Sequence, residues 1–346
     1  MAKKVLIAMS GGVDSSAAAL LLKQAGYDCT GAALRLLDDG GAGAGDARAA
    51  AERLGIDFFL FDEQACFARE VMDRFVREYR AGRTPNPCID CNRCLKFGVL
   101  LDRAMDMGFD YIATGHYARV SEEGGRFHLL RGLDRQKDQS YVLYQLTQEQ
   151  LSHLLLPVGA YSKQEIRALA EKAGLTNAQK PDSQDICFVP DGDYVRFLQE
   201  YGGVTLHEGD FVDRDGKVLG RHRGLEAYTK GQRKGLGVSA EERLYVISKD
   251  AEKNTVLLGR NEELFSNALL ASRACWIEPE PEGPLRVTAK TRYSQRESSA
   301  TVNPGPDRTV RVDFDEPQRA VTAGQAVVFY DGERVVGGAT IERALP

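Results

Sequence analysis

One short stretch limits this chain more than any other: Ser10-Gly11-Gly12-Val13-Asp14-Ser15-Ser16, set between an apolar run and a good helix former. Lys4 to Met9 reads as a buried strand and Ala17 to Ala25 as a helix, so the stretch is a strand-to-helix turn. Its glycines let the backbone turn tightly and approach a ligand closely. The helix behind it aims free N–H groups and a positive dipole end at whatever sits in the loop. Ser10, Ser15 and Ser16 add hydroxyl donors, and Asp14 is a candidate to hold Mg²⁺. No lysine follows the last glycine, so this is not a Walker A loop.

The alternation continues. Asp28 to Leu36, Asp57 to Phe61 and Tyr111 to Thr114 read as strands; Asp46 to Leu54, Ala68 to Arg80 and Leu95 to Met107 read as helices. That order predicts an α/β fold with a parallel sheet covered by helices on both faces. Gly40-Gly41-Ala42-Gly43-Ala44-Gly45 lacks the spacing of a dinucleotide fingerprint and reads as a flexible loop. Ser162 to Ala173 reads as a helix whose Ser cap is followed three residues later by Glu165. Beyond about residue 203 short β-rich segments take over: Asp210 to Leu219, Arg243 to Ser248 and Thr255 to Gly259, then Val287 to Thr291, Thr309 to Phe314, Ala326 to Tyr330 and Arg334 to Ile341. The expected organisation is a catalytic domain over 1–203, a small mixed or β central domain over 204–272 and a C-terminal β-barrel over 273–346.

Length supports several domains, since 346 residues exceed what one core usually holds. The net charge of −5 argues against nonspecific coating of nucleic acid. It leaves room for a local patch, and Lys217, Arg221, Arg223, Lys230, Arg233 and Lys234 face only one acid, Glu226, in the same stretch. Tyr228 interleaves them and is suited to stacking on a base. Val5 to Met9 is too short for a signal peptide or membrane span, which predicts a cytoplasmic protein. There the seven cysteines are better read as reactive or metal-binding thiols than as a disulfide framework.

Cys88, Cys91 and Cys94 stand at spacings of three, and Cys187 lies in a second polar, proline-flanked segment. Cys29, Cys66 and Cys275 sit in apolar or strand-like surroundings and read as structural thiols. Cys91 and Cys187 read as loop residues, with Cys91 just ahead of the helix near Leu95. A thiol at a helix N-terminus has a lowered pKa and becomes a nucleophile. Such a thiolate accepts sulfur as a persulfide, and a second thiolate can resolve it.

The first loop is similar to the SGGxDS signature of the ATP pyrophosphatase (PP-loop) superfamily, whose members transfer AMP to a substrate oxygen and release pyrophosphate. Over essentially its whole length the chain resembles the tRNA-specific 2-thiouridylase (MnmA, TrmU) family. The matching stretches are 10–16, 82–97 (GRTPNPCIDCNRCLKF), 111–119 (YIATGHYAR), 131–146 (RGLDRQKDQSYVLYQL), 180–190, 228–237 (YTKGQRKGLG) and 317–330 (PQRAVTAGQAVVFY). The resemblance implies an adenine nucleotide alpha hydrolase-like N-terminal domain and ATP-dependent 2-thiolation of the wobble uridine in the tRNA anticodon stem-loop. It implies that Ala8, Met9, Ser10, Gly11, Gly12, Val13, Asp14 and Ser15 bind ATP with Mg²⁺, with Leu34 and Gly115 on the adenine. Cys187 would carry a persulfide delivered by a sulfur-donor protein, such as a cysteine desulfurase or sulfur-relay protein. Cys91 would release the sulfur, leaving a Cys91–Cys187 disulfide. His116, Lys137, Asp138, Gln139, Arg292, Tyr293 and Gln325 would meet the tRNA.

The chain departs from the family pattern at Cys88, where many members carry an Asp proposed as an acid/base group; water or Asp90 would inherit that job. Cys94 is also unusual, and the loop after Leu36 is shorter and richer in glycine. Alternatives stay open. Cys88, Cys91, Cys94 and Cys187 have the spacing of a [4Fe–4S] ligand set, and four thiolates also suit zinc; the persulfide route is preferred. Another PP-loop adenylation, ending in amidation or ligation, or a noncatalytic tRNA-binding protein would need no paired thiols.

Overall fold

Val5, Leu6 and Ile7 expose no surface, as a strand covered on both faces requires. They lie in β1 (Lys4–Ala8), which pairs in parallel with β2 (Asp28–Arg35); β3 (Asp57–Asp62) flanks β2, and β4 (Tyr111–Ala113) lies on the other side of β1. The computed structural model describes residues 2–38, 42–175, 177–180 and 185–345. After β4 the chain leaves this sheet for an antiparallel hairpin, β5 (Ala118–Glu123) and β6 (Arg126–Arg131), then returns through β7 (Leu154–Leu155) beside β4. The order is β3-β2-β1-β4-β7, all parallel. Strand order reverses at β1, so the crevice beyond the carboxyl ends of β1 and β4 is where such a sheet binds ligands.

Helix α1 (Val13–Gln24) starts four residues earlier than expected and buries Ala17, Ala18 and Ala19. Helix α2 (Ala42–Leu54) buries Ala47, Ala50, Ala51 and Leu54, spaced three and four apart on one face. The expected flexible loop over 40–45 is therefore corrected: the chain is helical from Ala42, while Gly40 and Gly41 lie outside the described residues. Small residues are what this face needs, because a Cβ on Gly31 of β2 would already crowd Met9, Phe58 and Ala51. The helix Lys163–Lys172 carries the expected capping box of Ser162 and Glu165.

The central strands β8 (Gly209–Val212), β9 (Val218–His222), β10 (Tyr245–Asp250) and β11 (Thr255–Gly259) form a sheet of order β10-β11-β8-β9. Asp210 to Leu219 is not one strand but a hairpin. Asp213 accepts from the Asp215 and Lys217 amides, and Gly216 takes φ +79°, which turns the chain. The last third closes as six antiparallel strands: β12 (Phe265–Trp276), β13 (Leu285–Lys290), β14 (Ser298–Pro304), β15 (Val310–Arg319), β16 (Ala326–Asp331) and β17 (Arg334–Leu345). β12 pairs with both β15 and β17, which makes the sheet a barrel.

The barrel is welded to the parallel-sheet domain. β6 joins β17 at Leu130 and Arg334. One core unites Leu6, Phe97, Leu100, Tyr141 and Tyr144 with Ile277, Ala326, Val328 and Tyr330 of the barrel. Gly159 lies against the start of β5, where a Cβ would overlap the Ala118 carbonyl oxygen. Gly159→Ala is expected to destabilise the fold by about 1–3 kcal/mol, read as a lowered denaturant midpoint at unchanged slope. Among the described residues no helix is long and apolar enough to cross a membrane.

Candidate active site

Gly11 takes φ +75°, a conformation that favours glycine, and turns the chain from β1 into α1. Gly12 caps α1 without any side-chain hydrogen bond to the first turn, so the helix start is left open to a ligand. A Cβ on Gly12 would meet only Ser10 Oγ, at 3.5 Å, and Ser10 is exposed at the lip of the loop. An anionic polyphosphate fits this arrangement. Ser15 and Ser16 point inward instead. Ser15 Oγ donates to the Gly12 carbonyl at 3.0 Å and accepts from the Ser10 amide at 3.2 Å, and Ser16 Oγ donates to Gly12 O at 3.2 Å. In this arrangement the two hydroxyls brace the loop.

Gly115, at the end of β4, presses on the same turn. A Cβ there would sit 2.6 Å from Ser15 N and 2.7 Å from the Asp14 carbonyl carbon. Three residues that sequence reading passed over complete the loop's support. Lys163 Nζ donates to both Asp14 carboxylate oxygens, at 2.7 and 2.8 Å, and Tyr117 OH donates to Asp14 Oδ1 at 2.8 Å. Asn177 Nδ2 donates to Gly11 O at 3.1 Å and to Ser16 Oγ at 2.9 Å. Lys163 and Asn177 come from distant sequence and carry no local signal. Asp14 is the only carboxylate on the turn and is already paired, so the residues present do not form a ready protein site for Mg²⁺.

The cysteine segment is helical where a loop was expected. Asn86 accepts from the Cys88 amide at 3.2 Å, Pro87 occupies the first helical position, and Pro87–Cys91 runs on through the π-helical stretch Asn92–Val99 into the helix Leu100–Asp106. Asn-Pro is a cap-plus-first-turn signature that sequence reading left unused. Cys91 is therefore inside a helical run rather than at its N-terminus. Its thiol is not activated by a helix end: burial pushes its pKa up to about 11, and burial also raises Cys88, Cys94 and Cys187.

Cys91 and Cys187 nonetheless share one place. Cys91 and Ile186 pack on the same apolar cluster, built around Phe67, Phe75, Leu95 and Phe188, and Leu34, Leu36 and Leu37 from the end of β2 border it too. The thiolates of Cys91 and Cys187 repel each other, as do those of Cys88 and Cys187. Pro181 to Gln184 of the Cys187 segment lie outside the described residues. Cys94 borders the same cluster, its thiol 4.0 Å from Glu70 Oε2 and under the charges of Arg93, Asp90 and Arg74. Among the described residues no three thiol, imidazole or carboxylate groups converge on a metal position, so these thiols do not fit a four-ligand cluster or zinc site as placed. Asp90 is 6% exposed, with Arg74 3.0 Å and Arg93 3.7 Å from its Oδ1. It is engaged in that ion pair rather than free to replace an acid/base group at position 88.

The residues expected on the tRNA divide sharply. His116 is buried, shares a 2.7 Å hydrogen bond with Thr114 Oγ1, and burial with the nearby Lys96 charge keeps its pKa well below the usual imidazole value. Asp138 accepts from the Gly132 and Ser140 amides, and Gln139 Oε1 accepts from the Tyr117 amide at 2.9 Å. Lys137 is half-buried beside them. Arg292 clamps Lys230 O, Ala320 O and Thr322 Oγ1, and Gln325 Nε2 donates to Thr84 O at 2.8 Å, gripping the segment that enters the cysteine helix. Tyr293 is 41% exposed, its ring 6.0 Å from that of Tyr141. A cavity of about 580 Å³ opens where Asp193, Arg223, Lys230 and Arg292 meet, joining all three parts of the chain.

Known proteins resemble this chain throughout. A family model described as tRNA methyl transferase HUP domain matches residues 3–191, one described as tRNA methyl transferase PRC-barrel domain matches 195–260, and one described as aminomethyltransferase beta-barrel domain matches 266–341. The chain is 46% identical over 355 residues to "tRNA-specific 2-thiouridylase MnmA" of Clostridium acetobutylicum, covering 99% of this chain and 100% of that protein. It is 48% identical over 356 residues to the protein of the same name from Acetivibrio thermocellus, covering 98% and 99%. It is also 48% identical over 360 residues to that of Carboxydothermus hydrogenoformans, covering 99% and 98%. With full-length identity at this level and a family model over more than half of its length, the chain belongs to the tRNA-specific 2-thiouridylase MnmA family.

Proposed function

We propose that this protein catalyses ATP-dependent 2-thiolation of a tRNA uridine, the wobble base, in the cytoplasm. The observation that carries the reading is that Cys91 and the segment of Cys187, through Ile186 and Phe188, meet on one apolar cluster bordered by the end of β2, the strand beside β1. Ala8 to Ser15 hold the ATP phosphates, and Leu34 and Gly115 flank the adenine. Mg²⁺ bound to the nucleotide's own phosphates would neutralise their charge, since Asp14 is taken by Lys163. The division into 1–203, 204–272 and 273–346 is supported by three separate matches along the chain.

The uridine is taken from an already unpaired anticodon loop, which lowers the cost of extruding it. Its C2 oxygen attacks the α-phosphorus, and the bond to pyrophosphate breaks. Adenylation supplies the leaving group that a carbonyl oxygen lacks. The outer sulfur of a Cys187 persulfide attacks C2, and AMP departs with the original oxygen. The Cys91 thiolate then attacks the Cys187 sulfur, the inner S–S bond breaks, and 2-thiouridine leaves with the electron pair. A dithiol reductant reopens the Cys91–Cys187 disulfide, and a cysteine desulfurase or sulfur-relay protein restores the persulfide. Arg223, Lys230 and Arg292 around the three-part cavity suit RNA phosphates, and exposed Tyr293 suits a base. Lys137, Asp138, Gln139, His116 and Gln325 support the RNA site from behind, through the hydrogen bonds they hold.

Nucleoside mass analysis of tRNA incubated with the protein, ATP and a persulfide donor tests the reading. The expected product is 2-thiouridine, dependent on ATP. ATP-dependent amide or ligated products, or pyrophosphate release without sulfur incorporation, would overturn it.

A further inference from the structure

Four observations single out Lys96, whose part so far is its influence on His116. It follows Cys91 by five positions, and in an α-helix residues five apart point roughly 140° away from each other. Here the intervening stretch Asn92–Val99 is π-helical, and hydrogen bonds that skip five residues widen the turn and bring the two side chains toward one face. Lys96 is half-buried between fully covered Leu95 and Phe97, and among the described residues it forms no ion pair. Among the described residues its charge is the one cationic influence that reaches Cys88, Cys91 and Cys187 alike. Arg93 and Arg74, the neighbouring cations, act on Cys94 and on Asp90 instead.

We propose that Lys96 is a positioning residue for sulfur: its ammonium, carried to the thiol face by the π-helical stretch, holds the thiolate and persulfide anions of Cys91 and Cys187 ionised and directed into the cleft. The proposal rests on the sulfur-transfer reading for its purpose, but its physical content is a property of the thiols alone. The groups facing Cys91 are Lys96 and the thiols of Cys187, Cys88 and Cys94. Those facing Cys187 are Cys88, Lys96 and its own and Phe188's backbone amides; Cys88 faces Lys96. Among the described residues no carboxylate is with them. Cys91 is half-buried and Cys187 is more open, and partial desolvation favours the neutral form of both. Among the described residues the ammonium of Lys96, a single cation on a flexible stem, is the compensating element, and it can follow the charge from one sulfur to the other.

The test is the pH dependence of iodoacetamide alkylation at each cysteine, resolved by peptide mass spectrometry, in the wild-type chain, Lys96→Met and Lys96→Arg. In Lys96→Met the alkylation midpoints of Cys91 and Cys187 should rise by about one pH unit, slowing reaction near pH 8 by about tenfold. Cys94 should stay unchanged, and Lys96→Arg should restore most of the rate. Unchanged midpoints at Cys91 and Cys187, an equal shift at Cys94, or an arginine variant as impaired as the methionine one would each overturn the proposal. Should Lys96→Met lose its cooperative melting transition, Lys96→Gln carries the same comparison. The measurement uses neither tRNA nor ATP, so a wild-type protein that shows the Lys96 effect but makes no 2-thiouridine refutes the proposed function and leaves this inference standing.

Discussion

Cys187→Ser is expected to split the reaction in two: pyrophosphate release on tRNA continues, while 2-thiouridine falls by more than about a thousandfold, the scale of losing a nucleophile. A serine hydroxyl cannot carry the sulfur to be transferred. The phosphate loop is braced by Gly115, Asn177 and Lys163, and among the described residues none of these shares a hydrogen bond with Cys187, so adenylation survives the substitution. Cys91→Ser should fail one step later. The sulfur then reaches C2, but nothing cleaves the S–S link, and the tRNA stays attached to Cys187 until a small thiol frees it. Gel mobility of labelled tRNA with and without dithiothreitol, alongside pyrophosphate release, reads both variants. Thiolation retained in Cys187→Ser removes that residue from the sulfur path.

Gly115→Ala should abolish most ATP use, by about a hundredfold in kcat/KM, because the whole turn must move to admit the new methyl group. The clash is with backbone, Ser15 N at 2.6 Å and the Asp14 carbonyl carbon at 2.7 Å, so no side-chain rotation relieves it. Gly12→Ala is the informative partner. Gly12 has φ −86° and only an ordinary 3.5 Å contact waiting for a Cβ, so the fold should accept alanine within about 1 kcal/mol. If Gly12→Ala keeps its stability yet loses ATP-dependent pyrophosphate release, the missing side chain at Gly12 serves the nucleotide itself. Unimpaired turnover in Gly115→Ala would mean that the β4 end does not shape the nucleotide site.

What could be read from the sequence was what local chemistry dictates. A strand, a glycine turn and a helix in succession place the Ser10–Ser16 loop without help from the rest of the chain. Ser162 and Glu165 announce their helix because a capping box closes within three residues. What was not legible lies where distant partners decide. Gly43 and Gly45 suggested a loop, yet the alanines around them fit a helix against β2, where bulk is excluded at Gly31. Cys91 looked like a loop thiol because two prolines flank its segment, whereas Pro87 sits at a first helical position that welcomes it. Lys163 on Asp14, and the turn of Arg292 and Gln325 toward barrel and loop carbonyls, depend on pairings across many residues that no local pattern records. The hairpin of β5 and β6 sits within the first domain's sequence but adds to the barrel's sheet through Leu130 and Arg334.

The central claim is that a uridine oxygen is made into a leaving group before sulfur arrives. Substrate tRNA carrying heavy oxygen at C2 of the target uridine follows that atom directly. In a single turnover with ATP and persulfide-loaded protein, the label should appear in AMP, one heavy oxygen for each 2-thiouridine formed. Label found in water or in pyrophosphate, with AMP unlabelled, would contradict the account.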